Sequence, residues 1–232
     1  MSVKHFILAV VGVVVLTIGI GLFCKSHFRD IGISGIRTLS DVKALDCQVG
    51  FVIDDEFVEG SLKNFSYENF DQAPIALIVS PTNKLRQYNQ MNVQEVTVIK
   101  SIKGDVPEQS TIRVIHMGGV VHYDFGENKN NFTPIFADVM NLMQARNEYL
   151  IFLTPYDLNE YTGEADYDIV CMGAFNYFNL TTDGNGVVAK GTTGISCLAD
   201  FEGAEFLTDT KEHYDTLLEM KHKVIERYLG ER

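Results

Sequence analysis

Eighteen consecutive uncharged residues near the N-terminus restrict the fold more than any other feature of the chain. Residues 6–23 read FILAVVGVVVLTIGIGLF, in which Thr17 is the one polar side chain. A helix rises about 1.5 Å per residue, so this run would be roughly 27 Å long, close to the thickness of a bilayer's hydrocarbon layer. We therefore expect residues 1–24 to be a transmembrane anchor that contacts membrane lipid through residues 6–23.

A cleaved signal peptide is the alternative to an anchor, since Gly19 and Gly21 are small enough to precede a cleavage site. The sequence also allows two predictions for the side of the membrane on which the domain lies. Lys25 and Arg29 follow the apolar run and only Lys4 precedes it, which by the positive-inside rule favours a cytoplasmic domain. The start of the run at residue 6 is instead typical of an export signal. We predict a single-pass protein of the cell membrane with an extracytoplasmic domain.

The rest of the chain is acidic and patterned as one β-rich domain. The net charge of −12 argues against a nucleic-acid partner, because phosphate binding depends on Lys and Arg. We expect a linker over residues 25–39 and a globular domain over residues 40–232, which is enough chain for one well-buried core. Ser40 is expected to cap a short first helix. Segments rich in β-branched and aromatic residues predict strands at Cys47–Ile53, Pro74–Ser80, Asn92–Lys103, Ser110–Met117, Glu148–Thr154, Tyr167–Leu180 and Ile195–Ala199.

The C-terminal segment changes to helical periodicity. Apolar residues recur there at spacings of three and four, which predicts an amphipathic helix over residues 209–229. Asp209 and Glu212 are suited to a capping box at its start. We expect Tyr214, Leu217 and Ile225 to be buried against the sheet, and a shorter helical turn between Asp138 and Arg146.

Two stretches resemble small anchored proteins of the bacterial envelope. The run PIALIVSPTNKLRQYNQMNVQEVTVIKSIKGD begins at Pro74, and NEYLIFLTP begins at Asn147. In such proteins an apolar strand, a long strand ending in Lys-Gly-Asp and a later Tyr-Leu-Ile-Phe-Leu strand build an OB-like barrel similar to netrin/TIMP-like domains. The resemblance covers residues 74–154, about a third of the chain. It implies a mainly β fold, an OB-like barrel or an antiparallel sheet, and no particular activity.

The cysteines do not form a dense disulfide framework. Cys24 ends the apolar run, so the domain retains three, an odd number. One bridge, Cys171–Cys197, and free buried thiols are both compatible with this count. No CxxC or Cys/His spacing indicates a zinc site.

One histidine pair is the candidate metal site. His116 and His122 flank Gly118-Gly119, and Asp124 follows. If the glycines form a hairpin turn, the two imidazoles and the carboxylate are close enough to hold a divalent metal. The competing interpretation is that both histidines are hydrogen-bonded within the protein or face solvent.

Two other patterns point more weakly to chemistry. The acidic segment Tyr156–Asp168 has oxygen donors but not the glycine position or bidentate Glu of a calcium loop, so we interpret it as a solvated hairpin. Ser40 and Lys43 match an SxxK nucleophile spacing, but a lysine beside the linker would stay hydrated and charged. Nucleotide-binding and nucleophile-elbow motifs are absent, and we expect no cofactor.

These observations favour a membrane-anchored extracytoplasmic binding module over an enzyme. Its expected partner is another protein or a wall or surface component. The rival hypotheses are a metal-dependent hydrolase using His116, His122 and Asp124, and a protease-inhibitor-like module.

Overall fold

The structure, a computed structural model, describes residues 35–88, 91–123, 133–156, 165–171, 173–189 and 196–230. These residues belong to one compact unit, residues 33–232. The predicted anchor, residues 6–23, and most of the predicted linker lie outside them. Within the described residues, no helix is both long enough and apolar enough to cross a bilayer.

The described part of the chain is mainly β, with helices before and after the strands. The strands are β1 (Gln48–Val49), β2 (Ile75–Tyr88), β3 (Met91–Lys103), β4 (Thr111–Met117), β5 (Val120–Tyr123), β6 (Thr133–Phe136), β7 (Tyr149–Pro155), β8 (Tyr167–Ile169) and β9 (Tyr177–Asn179). The helices are α1 (Leu39–Ala44), α2 (Asp55–Asn64), α3 (Tyr67–Gln72), a 3₁₀ helix (Leu198–Phe201) and α4 (Lys211–Leu229).

Five strands pair in a ring. β2 pairs with β3, β3 with β4, and β7 with both β8 and β2, all antiparallel, whereas β4 and β8 are parallel. The β2–β7 register runs from Ile75 opposite Leu153 to Val79 opposite Tyr149. Because β7 also pairs with β8, these five residue pairs return the order β2-β3-β4-β8-β7 to its first strand. β9 adds to β7, and β1, β6 and β5 form a separate small sheet.

Strand β7 shows why the ring is stable. All five residues of Tyr149–Leu153 are buried, which is expected of a strand covered on both faces. The ring of Phe152 lies 4.6 Å from Phe70 of α3 and 4.7 Å from Tyr228 of α4, centroid to centroid. The helices therefore cover the side of β7 that carries Phe152, and the main hydrophobic core continues from the strands into α3 and α4.

Helix α4 confirms the predicted C-terminal amphipathic helix. Tyr214 and Leu217 are buried as predicted, and Ile225 is partly buried in the same core. The cap differs from the predicted capping box, because Thr210 is the N-cap and its hydroxyl accepts from the His213 N–H.

The N-terminal helices correct the sequence prediction. α2 and α3 were not predicted, although Asp54 and Ser66 cap them. The predicted short first helix is present, but its N-cap is Thr38, not Ser40, since Thr38 forms a reciprocal capping box with Asp41.

Several predicted strands are shorter than expected. Cys47–Ile53 contributes only β1, and Tyr167–Leu180 is divided by a turn into β8 and β9. The predicted strand Ile195–Ala199 is wrong in its described part, where one bridge at Cys197 precedes the 3₁₀ helix. Between Asp138 and Arg146 no helix forms and the backbone turns only at its end.

The structure decides between the two interpretations of the cysteines. Cys47, Cys171 and Cys197 are free thiols, although Cys171 is exposed and not buried. Cys197 lies beside Cys47 instead of Cys171, since the N–H of the next residue, Leu198, donates to the Cys47 carbonyl at 2.7 Å.

A buried lysine attaches α4 to the end of the sheet. The Lys221 side chain is 1% exposed, and its Nζ lies 2.9 Å from carboxylate oxygens of both Glu205 and Asp183. Glu205 also accepts from the Asn179 N–H at 2.9 Å. Burial raises the pKa of Glu205 to about 7, although Lys221 acts in the opposite direction.

A histidine joins the first turns of α2 and α4. His213 Nδ1 lies 2.7 Å from Asp209 Oδ1, and Nε2 lies 2.7 Å from Asp55 Oδ1. Burial lowers the pKa of His213, but the bonds to the two carboxylates outweigh it and the pKa is raised. The protonated ring, which donates from both nitrogens, is therefore the form that holds α2 against α4.

We expect this contact to make stability depend on pH. A raised histidine pKa stabilises the fold fully below the unfolded-state value of about 6.5, and the contribution is lost as pH rises through the folded-state pKa. His213→Gln should remove that part of the pH dependence of the free energy of unfolding, measured with urea between pH 5.5 and 8.5. His222→Gln, on the exposed side of the same helix, is the control and should retain it. The same slope in His213→Gln as in the parent chain would contradict the assignment.

Candidate functional site

A cleft opens beside the ends of the ring strands. It has a volume of about 320 Å³ and is called the β4–β8 cleft below. It lies where β3 begins, where β4 and β7 end and along β8. The described residues that line it are Met91, Ile115, His116, Met117, Thr154, Tyr156, Asp168, Ile169, Val170, Cys171 and Asn176.

Strand pairing brings these residues together from distant parts of the sequence. Asp168 of β8 is the register partner of Ile115 in β4 and of Thr154 in β7. Just before β8, Asp166 accepts from the Arg113 N–H at 2.9 Å and pairs with its guanidinium at 2.8 Å. The position of Asp168 is therefore fixed by the backbone of both neighbouring strands.

His116, the first predicted metal ligand, is engaged within the fold. The residue is 5% exposed. Its Nε2 lies 3.0 Å from the Gln94 side-chain oxygen and its Nδ1 lies 2.9 Å from the Met117 carbonyl oxygen. Burial lowers the pKa of His116 to about 4, so the ring is neutral at pH 7. Both nitrogens face protein oxygens and neither is directed to a free ligand position.

The strands that carry the two predicted histidines belong to different sheets. β4 pairs with β3 and β8, whereas β5, with His122, pairs with β6. Gly118-Gly119 is therefore not the turn of a paired hairpin. Gly118 has a φ of +102°, and a side chain there would collide with the Asp138 carboxylate.

The metal hypothesis stays a prediction. The His122 side chain and all of Asp124 lie outside the described residues. No group of three or more metal-ligating side chains occurs among the residues that the structure describes.

Two acids surround the accessible thiol of the cleft. Burial raises the pKa of the Asp168 carboxyl. Burial, followed by the nearby Asp138 carboxylate, raises the pKa of the Cys171 thiol, and Asp168 acts in the same direction. Burial also raises the pKa of Asp138 to about 6. Cys171 is therefore protonated at neutral pH, which is the opposite of what a nucleophilic cysteine needs.

Asn176 places an unsatisfied acceptor in the cleft wall. The residue is 4% exposed, and its side-chain oxygen Oδ1 has no hydrogen-bond partner within the described structure. Buried polar atoms nearly always have a partner, so such an atom suggests a missing donor. An N–H or O–H group on a ligand is one way to supply it.

Cys171 also lines a second cavity. This α2 cavity is about 670 Å³ and is open to solvent. Its described lining consists of Asp54, Glu56, Phe57, Gly60, Ser61, Asn64, Asn69, Cys171 and Gly173. Among the described residues that line either cavity there is no Lys or Arg.

The other sequence candidates do not join this site. Asp157, Glu160 and Glu164 of the acidic segment lie outside the described residues. Lys43 pairs with Glu202 on the surface, and the Ser40 hydroxyl lies 3.4 Å from Asn83. The SxxK spacing therefore assembles no nucleophile and base.

The sequence identifies His116 as a candidate but not the other polar residues that line the cleft. It places Asp168 in an acidic segment interpreted as a solvated hairpin, and it offers Cys171 either as a disulfide partner or as a free thiol. Asn176 was not singled out, because a buried amide has no sequence motif; only its environment distinguishes it.

Comparisons of the chain with family models, with curated proteins and with solved structures find no match.

Proposed function

We propose that this chain is a membrane-anchored extracytoplasmic binding module, built on an OB-like barrel, whose ligand site is the β4–β8 cleft. Residues 6–23 are the anchor, and the partner is a protein or a component of the cell surface. The observation that carries the proposal is the position of the cleft within the ring of strands.

The strand order supports an OB-like barrel. The five ring strands in chain order are β2, β3, β4, β7 and β8, and they pair in the order β2-β3-β4-β8-β7-β2 with one parallel contact, β4–β8. A five-stranded Greek-key barrel of OB type has this kind of arrangement. The small sheet and the helices are additions to the ring.

The cleft lies where such barrels bind their ligands. OB-type barrels use the face of their second and third strands together with the loops that join strands one to two and four to five. Here the second and third strands of the ring are β3 and β4. Met91, at the start of β3, and Ile115 and Met117 of β4 line the cleft.

The chemistry of the cleft favours binding over reaction. Its histidine is buried and neutral, and its thiol is kept protonated by burial and by neighbouring acids. Neither group is prepared for proton transfer or nucleophilic attack at neutral pH. The described lining contains one carboxylate, Asp168, and no Lys or Arg, which does not favour a phosphate-bearing ligand and agrees with the net charge of −12.

The anchor and its orientation can be tested together. The uncleaved full-length chain should need detergent for extraction, because the uncharged, almost wholly apolar run of residues 6–23 prefers lipid to water. A C-terminal tag should be removed by protease added to intact cells. A protected tag would place the domain in the cytoplasm, and a freely soluble uncleaved product would contradict the anchor.

Ligand capture in cells tests the site. A photoreactive amino acid replaces Met117, which lines the cleft and is 56% exposed. The matched control carries it at Glu108, an exposed turn position at the other end of β4. We expect discrete adducts, identified by mass spectrometry, from position 117 and not from position 108. Equal adducts from both positions, or none from position 117, would count against the cleft as the binding site.

A further inference from the structure

The charge of the cleft restricts its ligand. Asp168 lines the cleft, and Asp54 and Glu56 line the α2 cavity, which shares the lining residue Cys171 with it. Because no Lys or Arg occurs among the described lining residues of either cavity and His116 is neutral, an anionic group would enter against repulsion, whereas a cation would gain attraction. The negative charge of the lining side chains therefore favours a neutral or cationic ligand.

The unpartnered oxygen of Asn176 selects a hydrogen-bond donor. A buried acceptor without a partner costs free energy that a donor from the ligand restores. A carboxylate and a separate amide oxygen form two acceptors on different strands and loops. An ammonium group, with three rotatable N–H donors, suits separate acceptors, whereas the planar guanidinium group is suited to a bidentate carboxylate.

Part of the remaining lining is apolar and fits a hydrocarbon stem. Met91, Ile115, Met117 and Ile169 contribute side chains without charge, and methionine adapts to irregular ligands because it is flexible and polarisable. The cleft volume of about 320 Å³ is roughly ten times the ~30 Å³ that one water molecule occupies in the liquid. A ligand larger than a single hydrated ion is therefore accommodated.

We propose that the β4–β8 cleft binds a primary alkylammonium group, of the kind that a lysine side chain presents. The ammonium group pairs with the Asp168 carboxylate and donates to Asn176 Oδ1, and the stem lies along Met91 and Met117. This inference rests on the proposed function, since it names the ligand chemistry of the same site.

Cys171 provides a reporter inside the cleft. It is the exposed member of the described thiols, whereas Cys47 is buried and Cys197 is half-buried. A ligand in the cleft should slow its modification by methyl methanethiosulfonate, a thiol reagent that amines do not consume. Peptide mass spectrometry follows Cys171 and Cys197 separately in the detergent-solubilised full-length chain.

Three probes of matched length separate charge from shape. Hexylammonium, hexanol and hexanoate are compared at equal concentrations at pH 7. We expect hexylammonium to slow Cys171 modification at least about tenfold more than the other two at saturation, with Cys197 unaffected. Equal or stronger protection by hexanol or hexanoate would overturn the ammonium proposal and leave the cleft standing as a binding site.

Two variants test the assigned contacts. Asp168→Asn should raise the half-protecting concentration of hexylammonium about tenfold, which corresponds to about 1.4 kcal/mol of lost binding. Asn176→Ala should also weaken protection. Asp105→Asn makes the same change in net charge at the far end of β3 and should leave protection unchanged. Thermal melts and an unreactive Cys47 verify that each variant is folded. Unchanged protection of Cys171 by hexylammonium in folded Asp168→Asn would overturn the proposal.

Competition against the photo-adduct identifies the source of the ammonium group and separates the two proposals. If the partner is a protein that inserts a lysine, hexylammonium should remove the protein adduct at position 117, and hexanoate should not. If the partner is a small amine, no protein adduct forms at position 117. Of the three probes, only hexylammonium then protects Cys171. A protein adduct that persists at saturating hexylammonium would overturn the ammonium proposal while supporting the binding module.

Discussion

The pairing of β2 with β7 is the interaction on which the rest of the structure depends. Residues 75–79 lie opposite residues 149–153, about seventy positions later in the chain, and this register converts an open sheet into a ring. Its residues are buried on the interior side and, at Phe152, beneath α3 and α4. Closure removes two exposed strand edges and fixes which strand ends lie side by side.

The other pairings of the ring explain why the cleft lies at one end of it. Met91, Thr154 and Asp168 belong to three strands, and the β3–β4, β4–β8 and β7–β8 pairings bring them to the same end of the ring. The parallel β4–β8 contact places Asp168 beside Ile115. The proposed ligand therefore contacts the strand ends, whereas the sides of the ring carry the helices and the core.

Local patterns in the sequence predicted the long strands and helix α4, because a continuous apolar run or a regular helical period survives in almost any fold. They failed at α2, where Phe57 and Val58 lie in an acidic, irregular segment, and at residues 196–199, where a bridge at Cys197 and the start of a 3₁₀ helix replace the predicted strand. The sequence left open whether Cys171 and Cys197 are bridged, because sequence spacing carries no information on which segments meet. Asn176 was out of reach for the same reason, since its importance comes from an oxygen that folding leaves without a partner.

Methyl NMR of the methionines tests most directly whether the cleft receives a cation. Met91 and Met117 line the cleft, whereas Met140 and Met143 are buried in the core at 1% and 0% exposure and act as internal references. During a hexylammonium titration, the account predicts saturable shifts of the Met91 and Met117 methyl signals with the references unmoved. Signals of Met91 and Met117 that stay in place, or that move no more than those of Met140 and Met143, would contradict it.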